Sequence, residues 1–313
     1  MSDAIHTPVL LKEIVEIFDP QPGQIFVDAT ANGGGHTFAL WEKVKPSGTV
    51  IAIDKDHDLI AGLKKKARDA GANVVSVQGS YAELPQILHA HGIEKVHGIL
   101  LDLGYSSYHI DQAGRGFSFQ KDEPLDMRYD NNPRTQRAEQ SSYDGKSVNG
   151  ITAEEVVNGS PEGDLADVIY RFGEERFSRR IARAIVEERK RERIRTSGRL
   201  AEIVRASLPS RFGRGRIHPA TKTFQALRIF VNHELQDLEA VLPDAVEALM
   251  PQGKLAVISF HSLEDRIVKN FFRTQKQEGK LELFSKKPIQ TSREEEKGNP
   301  RARSAKLRVA IKL

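Results

Sequence analysis

The chain has 313 residues and not one cysteine. That absence removes disulfides, thiolate zinc sites and cysteine nucleophiles together. It suits a reducing compartment, and a cytoplasmic location is expected. Long apolar runs are missing too: none approaches the roughly 18 residues of a membrane span. The opening "MSDAIHTPVLLKEIVEIF" has neither a basic start nor a small-residue cleavage site, so no signal peptide and no membrane partner are expected. The ten histidines never stand as H-E-x-x-H. "FHSLED" and "NHEL" have the wrong spacing, so no metal site is expected.

What is present suits a folded protein with a substantial core: 39% hydrophobic and 29% charged residues. The net charge is only +4, but it is unevenly spread. Residues 176–199 hold ten Arg/Lys against three Glu, residues 205–222 hold five Arg/Lys and no acid, and six Arg/Lys with no acid follow from Lys297. The remainder is acidic. Basic clusters against an acidic background point to a polyanionic partner.

The first 104 residues alternate regularly. Thr7 is placed to cap a helix with Pro8 at its first position. The apolar runs "QIFVD", "TVIAID", "NVVSV" and "VHGILLDL" follow, with helical segments between them. Asp56 is placed to cap the helix that runs to Gly71. Continuous Val/Ile/Leu runs separated by helices indicate a parallel sheet covered on both faces. The rhythm stops after Gly104. Residues 113–150 show no clear period and 151–208 read as helical. Beyond them, "TKTFQALRIFVNHELQDLEAVLPDAVEALM" reads as one long helix or a pair divided near Pro243. "KLAVISF" reads as a strand, "SLEDRIVKNFFRT" as a helix, and "KLRVAIKL" as a final strand. The segment from Thr274 to Asn299 reads as a mobile loop. The expected organisation is therefore α/β, a doubly wound domain of residues 1–112 and 217–313, interrupted by a helical insertion at 113–216.

At the end of the first strand stands "DATANGGGH", Asp28 to His36. Glycines there let the backbone reach positive φ and come close to a ligand, and the next helix offers free N–H groups. The second strand ends in Asp54, twenty residues after Gly34, where a carboxylate can accept both hydroxyls of a ribose. The turn fits NAD, FAD or S-adenosylmethionine. Its spacing is not G-x-G-x-x-G, which weighs against a dinucleotide. His36 can contact a ligand or cap the helix. Tyr81, after the third strand, can flank an adenine. Asp102 leaves the buried run Ile99–Leu101, where a carboxylate is costly without a partner.

In the insertion, Phe177, Ile181, Ala184 and Ile185 gather within about 100° of helical arc. Arg176, Arg179, Arg180 and Arg183 gather on a second arc roughly 130° away. One side can be buried while the other offers guanidinium groups, together with "RKRERIR" and "SRFGRGR", to RNA. Tyr105 and Tyr108 in "GYSSYH" can stack on a base, and "GRGFSF" and "PLDMRYD" are placed near the site's mouth. These residues leave three classes open: an S-adenosylmethionine-dependent RNA methyltransferase, a nicotinamide oxidoreductase, and an RNA-binding protein with an inactive nucleotide turn.

The blocks "HTPVLL", "GGH", "GILLDLG", "RGFSF", "PLDMR", "GEERFSRRIARAIVEER", "HPATKTFQALRIFVN", "ISFHSLEDRIVK" and "NPRARSAKL" resemble, in order and over nearly the whole chain, the ribosomal RNA small subunit methyltransferase H family (RsmH, MraW). The resemblance implies a class I methyltransferase domain with a mostly helical insertion. It implies methyl transfer from S-adenosylmethionine to the exocyclic N4 of a cytidine in 16S rRNA near the decoding site. Carried over residue by residue, it implies cofactor contacts at Gly34, Gly35, His36, Asp54, Tyr81, Asp102 and His109, with Asp102 also a candidate to orient the amine. Tyr81 stands where the family commonly has phenylalanine, and His109 where it has glutamine. "DATANGGGH" replaces the usual "DGTxGxGGH". Self-pairing into a homodimer stays open.

Overall fold

The structure, a computed structural model, describes residues 8–104, 106–130, 150–209 and 218–313. The chain divides into two compact units, residues 1–106 with 235–313, and residues 107–234.

The first unit is built on a seven-stranded sheet. Its strands are β1 (Ile25–Asp28), β2 (Thr49–Asp54), β3 (Val74–Gln78), β4 (Val96–Asp102), β5 (Leu249–Ser259), β6 (Leu281–Leu283) and β7 (Lys306–Lys312). The spatial order is β3-β2-β1-β4-β5-β7-β6. Strands β1 to β5 pair in parallel, and β7 runs antiparallel between β5 and β6. Among its helices are α1 (Leu11–Phe18), α2 (Gly35–Val44), α3 (His57–Asp69) and α4 (Leu84–Ala90).

The apolar runs form strands because both their faces are buried. Val27, Ile99, Leu101 and Val257 point into one core, and Phe26, Leu100, Ala256 and Ile258 into the other, the period-two alternation of a pleated strand. The chain order reverses on either side of β1, whose neighbours are β2 and β4. This is a topological switch point, where such sheets place ligands beyond their carboxyl ends. Asp28, Asp54 and Asp102 are the last residues of β1, β2 and β4.

In the second unit α5 (Ser107–Asp111) precedes α6 (Ala153–Gly159), α7 (Glu162–Gly173), α8 (Ser178–Arg189), α9 (Ser197–Ser207) and α10 (Thr221–Asn232). Their core includes Leu165, Ile169, Ile181, Ile185, Leu200, Phe224, Leu227 and Val231. The unit is wider than the stretch 113–216 expected from composition. Its boundary includes α10 because Phe224, Leu227 and Val231 bury their side chains among the insertion's own helices. It includes α5 because His109 stands against Phe117 and Tyr129.

Other local readings are corrected as well. Helix α1 starts at Leu11, not at Pro8, because Leu10 takes a left-handed conformation at φ 56°; Thr7 lies outside the described residues. The long segment after residue 220 divides at His233, not near Pro243. His233 is left-handed at φ 55° and donates its N–H to the end of α10, whereas α11 (Glu234–Ala248) runs on through Pro243. The stretch 274–299 is not loop throughout. Helix α12 (Ser262–Gln277) enters it, β6 pairs with β7, and α13 (Arg293–Gly298) closes it. Among the described residues, no helix is long and apolar enough to cross a membrane.

Leu227 is fully buried in the second unit's core. Leu227→Ala is expected to cost about 2–5 kcal/mol. Hydrogen exchange should show the lost protection concentrated in residues 107–234; loss spread evenly over both units would contradict this assignment of α10.

Candidate active site

Strand β1 ends on Asp28, which is buried. Its Oδ2 accepts from the Thr37 hydroxyl at 2.6 Å, and its Oδ1 from the Thr30 N–H at 3.4 Å. Burial pushes its carboxyl up to about 6, against those hydrogen bonds and with help from the Asp54 charge. The turn that follows is tied to both neighbouring strands: Ala29 N–H donates to Leu100 O and Ala31 N–H to Ile53 O. Gly34 sits at φ 85°, and a Cβ there would come within 2.5 Å of Leu63 Cδ1. A Cβ on Gly35 would meet the Pro8 ring at 2.8 Å. The side-chain space of these two glycines is therefore taken up by packing of the protein against itself; what the turn presents to a ligand is main chain.

Asp54 is bound into the same turn. Its Oδ2 accepts from Asn32 N–H at 2.8 Å and its Oδ1 from Asp56 N–H at 2.9 Å. Asp56 in turn caps α3 by accepting from Asp58 and Leu59 N–H. A carboxylate offers roughly four acceptor positions, so these two bonds are compatible with a hydroxylated ligand. Tyr81 stands on a single 3₁₀ turn after β3, started by a capping box between Ser80 and Glu83. It packs against the first unit's core. Beside it, Asp237 of α11 accepts from Lys55 Nζ at 2.6 Å and from Ser80 Oγ at 2.9 Å, tying the ends of β2 and β3 to α11.

His36 does not cap α2. Its Nε2 lies 3.0 Å from Val9 O, and a carbonyl can only accept, so Nε2 carries the proton. Its Nδ1 lies 3.7 Å from Asp102 Oδ2. Asp102 is 4% exposed, and its own N–H donates to Thr30 Oγ1 at 2.6 Å. Asp102 Oδ1 is buried and has no hydrogen-bond partner among the described residues. An unsatisfied buried carboxylate oxygen is expensive, and it marks a place where a donor belongs. Burial pushes the Asp102 carboxyl up to about 8, followed by the Asp28 and Glu264 charges, against a backbone hydrogen bond from Gly104.

The first unit thus brings Gly34, Gly35, His36, Asp54, Tyr81 and Asp102 onto the turns at the carboxyl ends of its strands. His109 belongs to the second unit. It is buried there, with its ring centroid 4.9 Å from that of Tyr129 and 5.2 Å from that of Phe117. The segments expected at the mouth of a site also serve that unit's core. Phe117, Leu125 and Met127 are buried in it, and Asn232 Nδ2 holds Met127 O at 2.7 Å. Tyr105 lies outside the described residues.

Helix α8 divides as its periodicity predicts, with Ile181 and Ile185 buried and Arg179, Arg180 and Arg183 exposed. Arg183 reaches Glu162 at 3.5 Å. The basic run after it is largely engaged within the unit: Arg189 donates to Val157 O, Arg191 pairs with Glu188, and Arg193 pairs with Glu154. That occupation lowers its claim to phosphate. "SRFGRGR" lies outside the described residues.

The roles of Asp28 and the Val9 carbonyl escaped the sequence reading. Asp28 carried the same signal as Asp102, a carboxylate ending a buried strand. Nothing local marks Val9.

The Asp102 carboxyl predicts a pH dependence. Its folded value of about 8 lies above its ordinary 3.8. The folded state therefore holds this proton more tightly than the unfolded chain. Its contribution to stability is greatest below about pH 4, falls as pH rises towards about 8, and is level above. Asp102→Asn removes that fall. In urea unfolding, the variant's gain over the parent should grow through this window and then stop; a constant difference would refute it.

A family model described as "MraW methylase family" matches residues 3–313. Among curated relatives, a ribosomal RNA small subunit methyltransferase H of Coprothermobacter proteolyticus is 46% identical, over 97% of this chain and 95% of its own. Proteins of the same name from Persephonella marina and Heliobacterium modesticaldum are 44% and 41% identical, covering 98% of this chain and 99% and 98% of their own. With a model matched almost end to end and relatives aligned over nearly their full length, the chain belongs to the MraW methylase family.

Proposed function

We propose that this protein transfers a methyl group from S-adenosylmethionine to the exocyclic N4 of a cytidine in 16S rRNA, near the decoding site of the small ribosomal subunit. The observation that carries the reading is Asp102 Oδ1, a buried acceptor without a donor among the described residues, at the switch point of a doubly wound sheet in a chain of this family.

The residues present fit the cofactor. It is cationic at sulfur and at its amino group, and the strand ends supply carboxylates. The main chain of Gly34, Gly35 and His36 would line its methionine part, Asp54 would accept from its ribose hydroxyls, and Tyr81 would stand beside its adenine. Asp102 would face its cationic end, and His109 is the further contact that the family resemblance implies. When bound, S-adenosylmethionine supplies an electrophilic methyl group on a sulfonium.

The protein's task is to position a weak nucleophile. The lone pair of cytosine N4 is delocalised into the ring. An acceptor that draws its N–H bonds out of the ring plane makes the nitrogen more tetrahedral and more reactive. Burial favours the protonated Asp102 carboxyl at neutral pH; a cation bound beside it would draw that proton off and leave a desolvated acceptor, held in place through its own backbone bond to Thr30. Alignment of this kind supplies several kcal/mol, up to about 7–11 in the best cases. The proton can leave after transfer, so no strong general base is required.

The second unit would hold RNA through the exposed face of α8. Arg179 and Arg180 form no ion pair among the described residues, and an exposed contact such as Arg183–Glu162 is worth less than about 1 kcal/mol and exchanges readily for phosphate.

The direct test incubates the protein with labelled S-adenosylmethionine and small ribosomal subunits and maps the modified nucleoside. N4-methylcytidine is expected; a different nucleoside, or none, overturns the reading. Calorimetry should show heat with S-adenosylmethionine and none with NADH. Asp54→Ala should abolish detectable cofactor binding; methylation at full rate would show Asp54 misassigned. Replacing Arg179, Arg180 and Arg183 together should lower the salt slope of RNA binding by roughly two units, at about 0.7 per single-strand phosphate contact. An unchanged slope removes α8 from the interface.

A further inference from the structure

The second unit carries a pair of stacked rings for which cofactor binding and α8 leave no role. Phe119 and His218 lie face to face, with centroids 4.3 Å apart and planes 24° from parallel. Phe224 of α10 meets Phe119 edge-on at 5.2 Å, fixing it from below. Phe119 is half-buried, whereas His218 is exposed. The imidazole is also oriented. Its Nδ1 accepts from Ala220 N–H at 3.2 Å, which puts the ring proton on Nε2. His218 O accepts from Thr221 N–H, so the residue is held at both ends of its backbone turn.

A cation stands close to the pair. Arg205, in the last turn of α9, is exposed and forms no ion pair among the described residues. Residues 205–222 contain no acid at all. Burial, and then the Arg205 charge, lower the His218 imidazole below its ordinary range, so the ring is neutral at neutral pH. An exposed, oriented, uncharged aromatic ring beside a guanidinium has the elements of single-strand RNA recognition: a plane for a base and a cation for its phosphate. Duplex RNA offers phosphates but hides its base faces.

We propose that Phe119 and His218 form a platform on which one unpaired base of the substrate RNA stacks, with Arg205 taking an adjoining phosphate. This rests on the RNA-methyltransferase reading above and adds a subsite to it. The base faces His218, whose plane is braced by Phe119 and Phe224. Little side-chain freedom is lost on binding because the ring is already set.

The test uses the full chain. His218→Asn removes the ring but keeps a side-chain acceptor for Ala220 N–H. Phe119→Leu keeps an apolar contact with Phe224 but removes the brace. His218→Tyr restores an aromatic face. Binding of a labelled single-stranded RNA of about twelve nucleotides, and KM for small ribosomal subunits, are measured beside S-adenosylmethionine affinity and thermal unfolding. His218→Asn is expected to weaken RNA binding about five- to a hundredfold, as loss of a base stack does, with cofactor affinity and the salt slope unchanged. His218→Tyr should recover most of the loss. Arg205→Ala should instead reduce the slope by about 0.7. If Phe119→Leu fails to fold, the His218 pair of variants decides alone.

RNA affinity at the parent level in His218→Asn overturns the proposal. So does a His218→Tyr variant as weak as His218→Asn, and so does equal sensitivity for a duplex of the same sequence. If the parent protein binds cofactor but neither binds nor methylates ribosomal RNA, the RNA reading itself falls and takes the platform with it. If the parent methylates normally and the variants match it, only the platform falls.

Discussion

The burial of carboxylates where β1 and β4 leave the core governs the first unit. Asp28 and Asp102 are both nearly inaccessible, and the Asp28 charge raises the proton affinity of Asp102, as the Asp54 charge raises that of Asp28. Such groups are tolerated only where hydrogen bonds are supplied in advance. Thr37 and the Thr30 backbone supply them to Asp28, and the Thr30 hydroxyl anchors the Asp102 backbone. Thr30 therefore serves both strands from one position. One oxygen of Asp102 is left over among the described residues, and the local architecture converges on it: the turn that holds Thr30, the helix whose first turn carries His36, and the strand that ends at Asp102.

A strap of three residues holds that arrangement from outside. Pro8 lies over Gly35, the Val9 carbonyl accepts from His36, and the Leu10 N–H donates to Glu295 Oε1 at 2.8 Å. Leu10 takes a left-handed conformation to do this, which costs a non-glycine residue about 1 kcal/mol or more. The cost is offset by burial of the Leu10 side chain beside Ile14 and Phe18. Residues 8–10 are thus less the first turn of a helix than a clasp across the start of α2.

The parts of this that could be read from residues alone were those with a short-range cause. Strand runs, the Asp56 cap and the two sides of α8 each follow from neighbours within a few positions, and the structure has them where periodicity put them, except that Arg176 and Phe177 precede the helix. The glycine turn was also legible, though its bare positions turn out to receive Leu63 and Pro8. What escaped depended on pairings distant along the chain. Leu10 with Glu295, Asp237 with Ser80 and the share of α10 in the second core are tertiary events with no local signature. The basic run at 189–195 misled for the same reason: its charges are visible in sequence, while Glu154 and the Val157 carbonyl, which engage two of them, are not adjacent to it. Composition placed the insertion's edges at 113 and 216 because loops change composition there, but the packing boundary follows buried side chains.

The order of strands also bears on synthesis. β7 follows both of its neighbours in the chain, yet it sits between them in the sheet, with β5 on one side and β6 on the other. Until residues 306–312 have left the ribosome, β5 has an open edge and β6 has no neighbour to pair with. Glu295, which fastens the strap, emerges only shortly before them. A chain still lacking residues 295–312 therefore carries the glycine turn and Asp102 without the bond that fastens the strap or the strand that joins β5 to β6.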